Sequence, residues 1–468
     1  MRPSQSLLLL VGLLLFGGYQ VGCNGGFQGN PPTERAGFHI HYYDVEVAVD
    51  PAERHITGRS TAHGIADDSL SAVTLNLAED MQVDSVFSNS TALEYRHHPP
   101  EIVVEKAVPA GQDFTVSIAY SGTPREAPNP PWQGGFTWSE APGREPWVGT
   151  SNQLEGASLW WAALDHPSQR PDSLSMALTV PDTLVGLSNG HLRDRSQSDG
   201  WETSQWHVSH PIHTYAVAIN IGPYVRNDRE HTAHDGSEQE LTFWALPADS
   251  DRAEQHLDEL SEMVQFMEET VGPYAFWQDK LAVAQAPFLG MEHQTLLAYG
   301  SHFEDGGLGY DASFDVLLFH ELAHEWFGNA VGVRDWHHLW LNEGFATYWE
   351  ALYARERDGE EAYRELIDYF RGEYTGGVVA PIEAVPLEEI YGRDLYFGGA
   401  IALHELSEIV GEERLLDLVS SWYDERRYSL VETADYLELV RSSTSETECR
   451  LWRDQISAMI SYEAVLCS

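Results

Sequence analysis

The chain has 468 residues, 43% of them hydrophobic and 11% aromatic, and a formal net charge of −46. That composition suits a globular protein of two or three domains and excludes a disordered, collagenous or fibrous-repeat chain. With 27 Lys and Arg against 73 Asp and Glu, nucleic acid and an anionic membrane surface are poor partners for the folded part, since both are recognised through clustered positive charge. The only lysines are Lys106 and Lys280. A Lys-poor acidic chain has two readings, a halophilic-type acidic surface adapted to high salt or an Arg-favouring base composition. A fold indifferent to ionic strength would remove the first.

Residues 1–23 read as an export signal: Arg2, an apolar run over 7–16, then small residues. The run is about half the length of a membrane-spanning helix. Val21-Gly22-Cys23 resembles the cleavage box of bacterial lipoproteins, with Gln20 where Leu is usual. The expectation is therefore a signal peptide, with the protein either tethered to the cell envelope through lipidated Cys23 or secreted. Lipidation of Cys23 would leave Cys449 and Cys467 free to pair. Residues 24–36 are rich in Gly, Asn and Pro and read as a flexible tether.

Residues 37–245 read as an N-terminal β domain. The stretches 41–49, 72–77 and 114–120 alternate apolar and polar residues, and turn signals at 121–124 and 188–190 separate the runs. Residues 246–468 read as a mainly helical second domain. Helices are predicted over 251–271, 314–329, 343–357, 360–371, 400–409 and 414–423, with a strand over 281–285. The fold class is α+β and multidomain.

The stretch that carries chemistry is His320-Glu321-Leu322-Ala323-His324. At 3.6 residues per turn the two histidines share one helix face and can reach one Zn2+ at about 2.0–2.1 Å. Glu321 then stands beside the ion, where a carboxylate can take a proton from water. Composition alone yields about 0.09 such matches in this chain, so the pattern needs a third ligand. A His six residues after His324 is absent, because that position is Ala330. Nineteen residues after His324 stands Glu343, and requiring a Glu there lowers the chance expectation to about 0.008. Three protein ligands leave a fourth position open, the catalytic arrangement. Glu350, seven residues after Glu343, either orients a ligand histidine or is an ordinary helical Glu. His337 and His338 read as loop packing, and Glu325 as a solvated neighbour.

These residues resemble the aminopeptidase N-type gluzincin family of zinc metallopeptidases. Its hallmark is His-Glu-x-x-His, eighteen residues, then Glu, inside Trp-Leu-Asn-Glu-Gly-Phe-Ala, as Trp340 to Ala346 read here. Leu289-Gly290-Met291-Glu292-His293 is similar to the family's Gly-x-Met-Glu-Asn, with Leu289 for Gly and His293 for Asn. The resemblance gives Glu292 the role of binding the substrate's α-amino group, with Gly290 and Met291 lining the substrate. Gln153-Leu154-Glu155 resembles the family's Gln-x-Glu element, which makes Gln153 and Glu155 further candidates for the amine. Tyr396, in Tyr396-Phe397-Gly398-Gly399, resembles the family's oxyanion-stabilising tyrosine, with Gly398 for Lys. Tyr391 is its competitor.

The resemblance implies an N-terminal antiparallel β saddle on a thermolysin-like catalytic domain that holds one Zn2+. It implies hydrolysis of the N-terminal peptide bond of peptides with a free N-terminus. The alternatives are a thermolysin-like endopeptidase and a non-catalytic envelope-anchored binding module. Larger members continue into a β module and a helical superhelix. This chain ends before either, so the expectation is a less enclosed site that accepts longer peptides.

Overall fold

In the computed structural model the described residues are 37–154, 156–381 and 392–460. The export signal, the tether, Cys23, Glu155, Tyr391 and Cys467 lie outside them. Cys449 is buried and disulfide-bonded.

The N-terminal part is built on Phe38–Asp50, whose alternation puts Tyr43, Val45, Val47 and Val49 in the core. It lies inside an eight-stranded sheet between His55–Ala66 and Ser173–Pro181. All neighbouring strands of that sheet run antiparallel except the pairing with Ser173–Pro181, which is parallel. A four-stranded sheet, Val185–Ser188, Ile219–Gly222, Pro146–Ser151 and Gly135–Glu140, ends at Ser151, two residues before Gln153.

The reading of the domain boundary needs correction. Val225–Thr232 and Glu238–Ala245 pair onward to Leu281–Gln285, Leu296–Tyr299 and Gly290–Met291 in one five-stranded mixed sheet. A boundary at 245/246 cuts through that sheet, which begins at Val225. Alternation announces a strand but not the sheet it joins.

Helix α1, Ser250–Thr270, packs against this sheet and buries Leu257, Leu260, Val264 and Met267. Then follow α2, Val316–Ala323; α3, Trp340–Asp358; α4, Glu360–Glu373; α5, Arg393–Val410; α6, Glu412–Arg426; α7, Thr433–Ser443; and α8, Glu446–Ile456. Helix α2 is shorter than the predicted 314–329. Asp315 caps its start by accepting from Leu318 N at 3.0 Å, and its last residue is Ala323. The chain then turns back through Gly328, at φ +133°. His324 keeps helical φ and ψ, so the two histidines remain one turn apart. Helix α5 starts seven residues before the predicted 400 and so carries Tyr396.

Helix α3 is buried from Trp340 to Ala354. It touches α5 at Gly344 and Gly399, where a Cβ added to Gly344 would lie 2.7 Å from the Gly399 Cα. Only two glycines allow that approach. It brings the helix of Tyr396 against the helix of Glu343. Among the described residues no helix is long and apolar enough to cross a membrane.

Arg170 staples the two parts together. It is 7% exposed and donates to the carbonyls of Pro211, Ala330 and Ser429 at 3.2–3.4 Å, and to Asn329 O. Burial lowers its pKa to about 10.

Candidate metal centre

His320 and His324 turn their Nε2 atoms toward each other, 3.1 Å apart. Glu343 Oε2 stands 3.3 Å from each. The three residues are buried and form the one candidate cation site among the described residues. Ligands at about 2.0–2.1 Å from a tetrahedral zinc stand about 3.3 Å from one another. The triangle has that size.

The hydrogen bonds fix which atoms face the centre. His320 Nδ1 lies 2.6 Å from Glu350 Oε1, and His324 Nδ1 lies 3.0 Å from Phe327 O. With each Nδ1–H donating outward, each Nε2 presents a lone pair inward. Glu343 Oε2 is buried and takes no hydrogen bond. Two lone pairs and an orphaned carboxylate oxygen facing one point repel unless a cation sits among them. Burial would lower the His320 pKa, but Glu343 and Glu350 outweigh it and drive it up, so the site calls for positive charge. Two imidazoles and one carboxylate suit zinc.

Around the triangle are the other residues singled out from the sequence. Glu321 is buried, and burial pushes its carboxyl up to about 8. Gly290 lies against it: an added Cβ would stand 2.4 Å from Glu321 Oε1. Met291 is buried on the sheet-edge strand beside it. Glu292 is buried and accepts from Gln153 Nε2 at 2.7 Å, and the same nitrogen donates to Glu343 Oε1 at 3.0 Å. One amide therefore bridges a candidate metal ligand and the candidate amine-binding carboxylate. Tyr396 stacks at a tilt on His320, with ring centroids 5.9 Å apart.

Glu350 accepts from Tyr310 as well as facing His320. His337 faces Asp335, and His338 Nδ1 faces Thr433 Oγ1 at 3.1 Å, both away from the triangle. The reading of Glu325 as solvated is wrong. It is fully buried and accepts from Tyr274 OH at 2.7 Å, Thr295 N at 2.8 Å and Asn329 Nδ2 at 3.0 Å. The helix ends at Ala323, so helical periodicity no longer tells which way residue 325 points.

Sequence reasoning missed Tyr215. Its buried hydroxyl has no well-formed hydrogen bond, and burial, Glu292 and Glu343 all push its pKa up. Its ring packs edge-on against Trp336 with centroids 4.9 Å apart. No motif around Tyr215 signals this placement.

Three buried carboxylates (Glu292, Glu321 and Glu343) thus converge with two imidazoles. Such a site can hold a divalent cation and, beside it, a ligand ammonium.

Comparison with known proteins agrees with this geometry. Residues 39–216 match the peptidase M1 N-terminal domain, and residues 255–460 match the peptidase family M1 domain. The chain belongs to peptidase family M1. It is 28% identical to Aminopeptidase M1 of Arabidopsis thaliana over 306 residues, which are 60% of this chain and 33% of the relative. It is 25% identical to Aminopeptidase N of Rattus norvegicus over 333 residues, 64% of this chain and 34% of the relative. The chain therefore spans about a third of the length of these curated relatives. Its fold is similar to that of a mutant M1 zinc metallopeptidase of Deinococcus radiodurans bound to a Tyr-Ser-Ala substrate. The TM-score is 0.77 and the identity 24%, over 90% of this chain and 94% of that one.

Proposed function

We propose that the protein is a zinc aminopeptidase that hydrolyses the N-terminal peptide bond of peptides. The observation that carries this reading is the Gln153 amide, which holds Glu292 and Glu343 in one constellation. A carboxylate fixed at one distance from a metal site selects a terminal ammonium and puts the first peptide bond over the metal.

His320, His324 and Glu343 hold the ion. Zinc in that site supplies Lewis acidity, polarising a carbonyl and making water acidic. Glu321 takes the proton from the attacking water and returns it to the leaving amine. Tyr396 donates its phenolic hydrogen to the developing oxyanion. Glu292 accepts from the substrate ammonium, and Gln153 keeps that carboxylate aimed. Glu155 is proposed as a second acceptor for the same ammonium. Gly290 leaves room for the Glu321 carboxylate, and Met291 borders the first side-chain pocket.

The same metal site would serve a thermolysin-like endopeptidase, but a buried carboxylate tied to Glu343 favours a free amine. A non-catalytic binding module would have no use for the buried Glu321. The test is release of free amino acids from an unblocked peptide and its N-acetylated twin, with and without chelator. Release from the unblocked peptide alone, abolished by chelator, is expected. Equal cleavage of both would remove the exopeptidase reading.

We also infer export, from residues 1–23, with anchoring through Cys23 as the first alternative and secretion as the second. The mass of the mature N-terminus, with or without a lipid adduct on Cys23, distinguishes them.

A further inference from the structure

The segment that carries Glu292 is tied down at four points. Glu292 O accepts from Asn329 Nδ2 at 2.9 Å. Thr295 N donates to Glu325 Oε1 at 2.8 Å. Gln294 O accepts from Asn189 Nδ2 at 2.6 Å, and Thr295 Oγ1 from Gly190 N at 2.8 Å. Thr295 sits at φ +65°, a conformation that a Thr adopts only when its surroundings impose it. Two of the four ties lead to the turn just after the second metal-binding histidine. Glu325 follows His324 directly, and its Oε1 also accepts from Asn329 Nδ2 at 3.0 Å. The backbone of the Glu292 loop and the end of the metal helix are thus joined through two buried side chains.

We propose that Glu325 and Asn329 form a strut that fixes Glu292 at one distance from the metal site, and so sets cleavage at one residue from the N-terminus. This rests on the aminopeptidase reading above. Both are positioning residues, acting through Glu292. The strut uses hydrogen-bond acceptance rather than charge. Glu325 Oε1 takes Thr295 N from the loop and Asn329 Nδ2 from its own turn, while Oε2 faces Tyr274 OH, which also lies 3.0 Å from Lys280 O. In Glu325→Gln the amide oxygen keeps Thr295 N and Asn329 Nδ2 as donors and the amide nitrogen donates to the Tyr274 oxygen, whose hydrogen turns to Lys280 O. Glu325→Ala leaves Thr295 N and one hydrogen of Asn329 unpaired in the interior.

The test is equilibrium binding of a free-amine tripeptide and of its N-acetylated form to the zinc-loaded Glu321→Gln protein, in which bound peptide is not consumed. Adding Glu325→Ala is expected to lower the ratio of the two affinities by about tenfold or more, at unchanged zinc content. Adding Glu325→Gln is expected to restore the ratio. Asn329→Ala, which removes the tie to Glu292 O and the bond to Glu325 while leaving Thr295 N on Glu325, is expected to lower it too and serves should Glu325→Ala fail to fold. A ratio unchanged in both alanine variants, or not restored by Gln, would overturn the strut while leaving the aminopeptidase reading in place. A parent protein that binds both peptides equally would remove that reading and the strut's role with it.

Discussion

His320 Nδ1 and Glu350 Oε1 are 2.6 Å apart, both buried, and Glu350 is two turns along α3 from Glu343. One helix thus supplies both a candidate ligand and the carboxylate that aims another candidate ligand. Removing such a partner weakens metal binding by about 10–100-fold. Glu350→Ala is therefore expected to lower zinc affinity in that range, measured by competition with a chromogenic chelator, with the secondary structure intact.

The two groups assigned to chemistry separate cleanly. Glu321→Gln is expected to bind zinc as the parent does and to lose turnover, because the amide cannot take the proton from water. Tyr396→Phe is expected to lower kcat by about 100-fold or more with little change in KM, as loss of an oxyanion donor does. Metal analysis and steady-state kinetics on the two variants check both.

The contact of Gly344 with Gly399 sets the position of Tyr396. A Cβ at Gly344 meets backbone at 2.7 Å, which has no rotamer to yield, so the two helices must part. Gly344→Ala is expected to cost about 1–3 kcal/mol of stability and to lower kcat, because Tyr396 moves with α5. Thermal unfolding and kinetics report the two effects; a variant with parent stability and parent kcat contradicts the role given to this contact.

Arg170 binds carbonyls from both sides of the domain interface. Arg170→Ala leaves several buried acceptors unpaired, at a cost on the order of 3 kcal/mol or more. Arg170→Lys is expected to recover little, since one ammonium cannot span the guanidinium's separate acceptors. Denaturant midpoints of the two variants check this.

His338 supplies a pH prediction. Burial pushes its pKa down to about 4, so the folded protein holds it neutral. In the unfolded chain it takes a proton near pH 6.5. Below that pH the unfolded state binds the extra proton, so this residue's contribution is present above about pH 6.5 and is lost as pH falls toward 4. The loss is up to about 1.4 kcal/mol per pH unit. Unfolding free energy measured at pH 7.5 and 5 is expected to change less in His338→Gln than in the parent.

The candidate metal triangle is legible in the sequence because a helix repeats in sequence what it repeats in space, and Glu343 stands at a fixed spacing in chain order. The strands of the N-terminal domain were legible from alternation, as at Tyr43 to Val49. What could not be read joins residues far apart in sequence. Gln153 reaches Glu343 across 190 positions and Arg170 reaches Asn329 across 159, and neither contact leaves a local pattern. Glu325 was misread because the helix stops at Ala323, and the stop is set by the turn at Gly328 rather than by any break in apolar periodicity. The domain boundary was misplaced for a related reason. Glu238–Ala245 joins its parallel neighbour Leu281–Gln285 only after the chain has passed through α1.

The proposed chemistry requires one metal held by His320, His324 and Glu343. The direct measurement is zinc bound per chain after dialysis against a mild chelator, in the parent and in His320→Ala and Glu343→Ala. One zinc in the parent and a large loss of affinity in both variants is the predicted result. Stoichiometric zinc retained by both variants would contradict it, because the ion would then be held elsewhere.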